Sequence, residues 1–458
     1  MSYKRLYEDI TYTKKSAWDQ LNKKEIFQFC EKYKSFLKDS KTVRRCVNNL
    51  IFILKKNGFK ELCKNTSKIV TGDKFYQINK DKSIIAFIVG KDKEHLKIIG
   101  SHMDSPRLDL KPNPIYEDSG LALIRTHYYG GIKKYHWVNE PLILEGVIYT
   151  KKGKKINLSL SDTTFMIPDL LPHLARDQMK KEGAKIVEGE TLNVLAGNIP
   201  IEDNNIKEKV KFTLLKNLYE KYKITEHDFF SAELELVPER NPLNVGLDQS
   251  LIGAYGQDDK VCVYTSLKAL IEIKKPEKTI VGFYVDKEEI GSMGNTGAQS
   301  NILINFVDEY IKQLKLKTSP FKILKESQSI SADVTAGLNP NYKDVHESQN
   351  ASFLGNGVSV EKYGGGGGKY STNDTNVEYV SYIRNLLEKN KIPFQYGELG
   401  KIDVGGGGTI AMFMSRYGMD CIDIGPPLLG MHSPFEISSK VDIYCSYLIY
   451  KEFYKSKV

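Results

Sequence analysis

The stretch Thr279–Glu289, TIVGFYVDKEE, decides how the rest of the chain is read. Its first part, Thr279–Val285, is a short apolar run rich in β-branched and aromatic side chains, the composition of a strand buried on both faces. Its last four residues, Asp286-Lys287-Glu288-Glu289, bring carboxylates to the mouth of that strand, and Gly291-Ser292 follows. Adjacent carboxylates in such a place are costly unless something cationic sits beside them. On one turn they can divide labour, one binding a metal and one moving a proton.

The same strand-then-polar pattern recurs on both sides. Ile84–Val89 reads as a strand, and Lys97–Gly100 is an apolar run ending at Ser101-His102-Met103-Asp104. Functional residues at the C-terminal ends of strands are the habit of open α/β sheets. Helical spacing marks residues 17–56, Asp259–Lys274, Asn301–Leu316 and Tyr379–Lys391, while Ser329–Asp333 and Met419–Ile424 read as further strands. From about Lys111 the texture changes. Apolar and polar residues alternate across Leu121–Ser161, broken by Gly130-Gly131 and Lys151–Lys155, and Ser231–Val237 alternates again, as antiparallel strands do. Residues 202–228 are polar and helical in tone. The expectation is an α/β domain built from residues 1–111 and 245–458, interrupted by a β-rich insertion at 112–244.

The composition narrows the function classes. The 458 residues are 41% hydrophobic and 27% charged, enough for a large core. The formal charge is +9, but the lysines are dispersed, with no basic tail and no aromatic–basic pattern, so a nucleic-acid partner is not expected. The six cysteines form no C-x-x-C pair, which fits a reducing compartment. No apolar stretch approaches the ~20 residues of a membrane span, and the N-terminal MSYKRLYEDITYTKK lacks a signal core. A cytoplasmic protein without a membrane partner is expected. The glycine runs Gly364–Gly368 and Gly405–Gly408 do not match a phosphate loop. The first reads as a mobile loop, and the second as a close backbone approach before the helix-like stretch Thr409–Arg416.

Several islands are rich in metal-binding side chains: His102-x-Asp104, Gln257-Asp258-Asp259, Asp286–Glu289, Ser331-Ala332-Asp333 and Met431-His432-Ser433. Each has a plain structural alternative. Asp258-Asp259 makes a good helix N-cap, Glu288-Glu289 complements a helix dipole, and Asp333 suits an Asx-turn. Taken together those alternatives weaken, because most of the islands follow runs that fit neighbouring strands. Hard oxygens with one or two imidazoles suit zinc, manganese or cobalt.

The strings GSHMDSPRL, GQDDKVCVYTSLKAL, DKEEIGSMGNTGA, SADVTAGLNPNY and DIGPPLLGMHSPFE, in this order and spacing, resemble the aspartyl aminopeptidase family of zinc exopeptidases, in its bacterial form. The resemblance implies a zinc-aminopeptidase-like fold, a central mixed sheet flanked by helices, with the insertion serving as a dimerisation domain. It implies two divalent metal ions per chain, zinc first, with cobalt or manganese as substitutes. His102 and Asp333 would hold one, Glu289 and His432 the other, and Asp258 would bridge them. Glu288 would be the general base and acid. Asp104 would orient the His102 ring. His173 matches the histidine that family members set near a neighbouring subunit's active site. The substrates implied are peptides with a free N-terminus, with a preference for acidic N-terminal residues, and the assembly is a homo-oligomer, a dimer through the insertion and a dodecamer beyond it.

Some positions depart from the eukaryotic members. Ala336 and Asn339 stand where those have histidines, and Lys369, beside a glycine run, is the lysine offered for substrate contact. Two other readings stay open: a catalytically idle assembly protein on the same fold, and a related co-catalytic zinc hydrolase such as a deacylase or carboxypeptidase.

Overall fold

The computed structural model of the chain describes residues 3–63 and 69–457; Met1 and Ser2 of the N-terminal stretch lie outside them. A nine-stranded sheet forms the centre, in the order Lys60–Glu61, Lys74–Asn79, Ser83–Ile88, Lys278–Val285, Asp92–His102, Gln328–Ser331, Asp420–Gly425, Val358–Glu361 and Phe394–Tyr396. The four middle strands run parallel. Ser83–Ile88 and Val358–Glu361 pair antiparallel to their inner neighbours, so the sheet is mixed. Val285 lies opposite His102, and Ser331 opposite Gly100. This register delivers Asp286, His102 and Asp333 to the same sheet edge.

Helices cover both faces because the middle strands are apolar on both. One face packs under Lys23–Asp39, Val43–Lys56, Gln257–Glu272, Val377–Lys389 and Lys440–Lys455, the other under Ile302–Leu314, Pro320–Lys325 and Ala411–Ser415. The helical spacing over 17–56 resolves into two helices. Asn22 caps the first by accepting from the Lys24 and Glu25 N–H groups, and Thr42 caps the second from Arg45 N–H, which breaks the run at Ser40–Thr42. The first buries Ile26, Phe29, Cys30, Tyr33, Phe36 and Leu37, a stripe at helical period.

A six-stranded antiparallel sheet spans Arg107–Pro238, in the order Lys155–Phe165, Leu142–Tyr149, Ala232–Pro238, Arg107–Asp118, Leu121–Tyr129 and Asn193–Gly197. It has its own apolar core around Trp137, Leu144, Leu192 and Leu236. The polar, helical tone of 202–228 yields one α-helix, Lys209–Tyr222, stopped where Lys223 takes a left-handed conformation. A small third sheet joins Leu243–Val245, Leu251–Ala254, Glu436–Ser439, Pro427–Leu429 and Thr335–Ala336. It ties the segments after His432 and before Asp258 together. Among the described residues no helix is long and apolar enough to cross a membrane.

Candidate active site

The site lies where the parallel strands end. His102 closes its strand, and its side chain is 2% exposed. Its Nδ1 faces the Asp104 carbonyl at 3.1 Å and the Asp104 carboxylate at 3.3 Å. With Nδ1 carrying the proton, the Nε2 lone pair is left facing inward, 3.2 Å from Asp258 Oδ1 and 3.8 Å from Asp333 Oδ1. That is the arrangement a metal-ligating imidazole requires.

The second imidazole is built differently. His432 sits on a loop with φ 65°, a conformation that non-glycine residues rarely adopt. Its N–H donates to Glu436 Oε1 at 2.9 Å, and its Nδ1 faces the Gly131 carbonyl at 2.8 Å. Gly131 belongs to the inserted region, so the insertion helps orient this ring. His432 Nε2 then lies 3.3 Å from Asp258 Oδ2 and 3.3 Å from Glu289 Oε2. Asp258 thus offers one oxygen to each imidazole.

Local chain geometry aims the carboxylates. Asp286 is buried and accepts from the Thr296 hydroxyl at 2.9 Å, while Lys287 turns left-handed at φ 69°. The chain therefore reverses just after the strand and swings Glu288 and Glu289 into the cleft. Asp104 holds that turn. One of its oxygens accepts from Glu288 N–H at 3.1 Å; the other accepts from Glu289 N–H at 3.1 Å and from the Tyr129 hydroxyl at 2.9 Å. The Arg107 guanidinium stacks 3.7 Å over the Tyr129 ring. Gly130, at φ 76°, lets the inserted region pass close, since a Cβ there would sit 3.3 Å from that of Glu289.

Two ligand groups emerge, His102 with Asp258 and Asp333, and Asp258 with Glu289 and His432. In each, the possible ligand atoms lie within 4.8 Å of one another. The donor set suits divalent cations with nitrogen and oxygen ligands. Electrostatics argue the same way. Burial, then the neighbouring Asp258 carboxylate, pushes Glu289 well above the usual carboxylate range, and one of its buried oxygens has no hydrogen-bond partner. Burial, then the charges of Asp333, Asp104 and Asp258 against the opposing pull of His102, raises Glu288 to about 8. Burial and Asp258 raise Glu436 to about 8. So many buried carboxylates repel one another, and a cation relieves the repulsion.

The ligand groups open on a cavity of about 690 Å³, whose other walls include Val334, Glu361, Leu399, Gly406–Gly408, Met412 and Phe413. The two glycine runs meet here. Gly365 N–H donates to Gly407 O at 2.6 Å, and a Cβ on Gly406 would collide with Gly365 O at 2.2 Å. The close approach expected before a helix is therefore between the runs, and the helix that follows covers only Ala411–Ser415. Lys369 pairs with Asp374 at 2.9 Å and does not line the cavity. His173 lies in a short exposed 3-10 turn of the inserted region, away from this chain's own site.

The sequence reasoning did not single out Tyr129, Glu436 or Glu361, and it named Asp259 within an island without giving it a role. Asp259 Oδ2 accepts the His102 N–H at 3.3 Å. Glu436 lies inside the quoted DIGPPLLGMHSPFE string, where its nearness to His432 was the available signal. Tyr129 carried none, being one aromatic residue of an alternating strand.

Residues 36–454 match the aminopeptidase I zinc metalloprotease (M18) family. A probable M18 family aminopeptidase 1 of Clostridium acetobutylicum is 45% identical over 454 residues, covering 95% of this chain and 97% of that protein. Its namesake in Thermotoga maritima is 47% identical over 453 residues, covering 96% and 98%. The crystal structure of the M18 family aminopeptidase from Thermotoga maritima matches with a TM-score of 0.94 at 45% identity, over 97% of this chain and 100% of that one. With close to half of all positions shared along almost its whole length, the chain belongs to the M18 family of zinc metalloproteases and is an aminopeptidase.

Proposed function

We propose that the enzyme releases the N-terminal residue of peptides with a free amino terminus, using two divalent cations. His102 and Asp333 would hold one, Glu289 and His432 the other, with Asp258 shared between them. The observation that carries this reading is the split of the Asp258 carboxylate, one oxygen 3.2 Å from His102 Nε2 and the other 3.3 Å from His432 Nε2. Zinc is the first expectation from the family, with cobalt or manganese as substitutes.

When bound, the cations acidify water and polarise the scissile carbonyl. Of the carboxylates beside the two imidazoles, Glu288, 3.9 Å from His102 Nε2, is left over once the ligands are assigned. It takes a proton from the attacking water and gives it to the leaving amine. Asp104 keeps Glu288 and Glu289 aimed by holding both of their N–H groups. Glu288→Gln is expected to retain both metals and to lose roughly 10²–10⁴-fold in turnover. Wild-type turnover in a metal-loaded variant would sink the assignment. N-acetylated peptides should resist hydrolysis; their cleavage would favour a related deacylase or carboxypeptidase chemistry.

The acidic preference implied by the resemblance needs a cation beside the N-terminal side chain. Lys369 is engaged by Asp374, and no Lys or Arg is among the described residues lining the cavity. The reading supported here is therefore cleavage without acidic selectivity, tested with Asp-, Glu-, Leu- and Lys-started peptides.

The proposal extends to a homodimer through the inserted sheet, in a cytoplasmic setting. Its support is the set of exposed apolar side chains around His173, including Leu170, Leu171 and Leu174. In that assembly His173 would reach a neighbouring subunit's site. One solved relative, at 22% identity, is described as a S. cerevisiae mApe1 dodecamer, and the same larger assembly is proposed for this chain. Sedimentation of the wild type against Leu171→Glu tests the dimer; an unchanged oligomer would remove the inserted face from the interface.

A further inference from the structure

Among the described residues lining the cavity, the charged or titratable side chains are those proposed as ligands, Glu288, and one more, Glu361. Glu361 is 8% exposed and ends the strand Val358–Glu361, in register with Asp423 of the neighbouring strand. It is therefore held by the central sheet rather than by a loop. The Thr335 hydroxyl donates to its Oε1. Thr335 follows Val334, and Gly397 packs against the same carboxylate, since a Cβ on Gly397 would sit 3.1 Å from Glu361 Oε1. The wall at Glu361 is thus continuous with Val334 and with the chain leading to Leu399, both cavity residues.

The lysines nearest in sequence are engaged elsewhere. Lys362 faces Asp374 at 3.8 Å, and Lys369 lies 2.9 Å from the same carboxylate. Fixed in this wall with the Thr335 hydroxyl as its donor, the Glu361 carboxyl is raised to about 8 by burial, and a cation brought beside it favours its charged form. It can accept a hydrogen bond from, or pair with, a cationic side chain, and it penalises an anionic one brought into the same desolvated space.

Resting on the aminopeptidase reading above, we propose that Glu361 determines which N-terminal residue is accepted, by facing its side chain: lysine and arginine are favoured, neutral residues are tolerated, and aspartate and glutamate are turned away.

The test measures kcat/KM for Lys-, Leu- and Glu-p-nitroanilide with the full-length enzyme, Glu361→Gln and Glu361→Lys. Metal content and thermal unfolding establish that each variant is folded and loaded. Glu361→Gln is nearly isosteric and keeps an acceptor for Thr335, so it reads selectivity even where Glu361→Lys fails to fold. The wild type is expected to rank Lys above Leu and Leu above Glu. Glu361→Gln should lower the Lys-to-Leu ratio about 10-fold, and Glu361→Lys should raise the Glu-to-Leu ratio by at least about 10-fold. Ratios unmoved by Glu361→Gln, or a wild type that prefers Glu to Lys, would overturn the proposal. A wild type inert on every free N-terminus would instead refute the aminopeptidase reading on which it rests.

Discussion

The two imidazoles of the site make an instructive pair. His102 terminates a central strand, is almost wholly buried, and finds its ring partner two residues along the same chain, in Asp104. The His432 side chain is 33% exposed, sits on a left-handed loop residue, and takes its ring partner from Gly131, some 300 positions away. One half of the site is anchored by the sheet that holds the molecule together. The other exists only while a loop, the small third sheet and the inserted region stay in contact. Metal affinity depends on how firmly ligands are oriented, so the His432 half should be the weaker and the more sensitive to the insertion.

The largest expected effect comes from removing the rings themselves. His102→Ala and His432→Ala should each cost more than about 100-fold in kcat, a floor set by what loss of a mere outer partner costs. They should differ in two other readouts. His102→Ala removes one partner each from buried Asp258 and Asp104, a change of the kind that costs up to about 3–5 kcal/mol. Its unfolding temperature should fall further than that of His432→Ala, and elemental analysis should find about one metal retained only in the latter. Equal losses of stability and metal in both would erase the asymmetry.

Asp104→Asn comes next. The amide keeps the shape but replaces a charged acceptor of the Glu288, Glu289 and Tyr129 hydrogen bonds. A roughly 10–100-fold loss of metal affinity is expected, read by competition with a chelator. Because Asp104 touches both the His102 ring and the Glu289 backbone, both halves should weaken; loss confined to one metal would separate them more sharply than the structure suggests.

The smallest effects come from single buried partners. Tyr129→Phe removes one hydrogen bond to the Asp104 carboxylate and leaves its two backbone donors in place, so it should cost less than Asp104→Asn. Glu436→Gln keeps an acceptor for His432 N–H or Asp258 N–H and should cost less. If the comparison holds, Glu436→Gln speeds metal release mainly from the His432 half, while Tyr129→Phe weakens both halves; the reverse pattern would mean that the halves are not anchored as described.

Much of this was legible before any coordinates. Thr279–Val285 is apolar throughout because the strand is covered on both faces, and the acids after it stand out because nothing structural demands them there. The helices were visible from their period, and Asp258 from its place in the island Gln257-Asp258-Asp259; the helix cap expected of it falls to Gly256. Convergence was not visible. Neighbouring strands in the sheet come from residues 83–88, 278–285, 92–102, 328–331 and 420–425, and no local pattern encodes that order. Gly131, the ring partner of the second imidazole, was hidden for the same reason, as was Tyr129, whereas Glu436 stands only four residues from His432.

The chain by itself determined its class of fold, the donor chemistry of its site and its kinship, because each is written in local runs: burial in β-branched strands, carboxylate and imidazole at strand ends, motif order. Tertiary structure alone decided which acid faces which ring, that Lys369 is spent on Asp374, and that Glu361 brings a further carboxyl to the cavity wall. Those depend on distances of a few ångströms between segments hundreds of residues apart, where hydrogen bonds and Coulomb interactions act but sequence spacing carries no information.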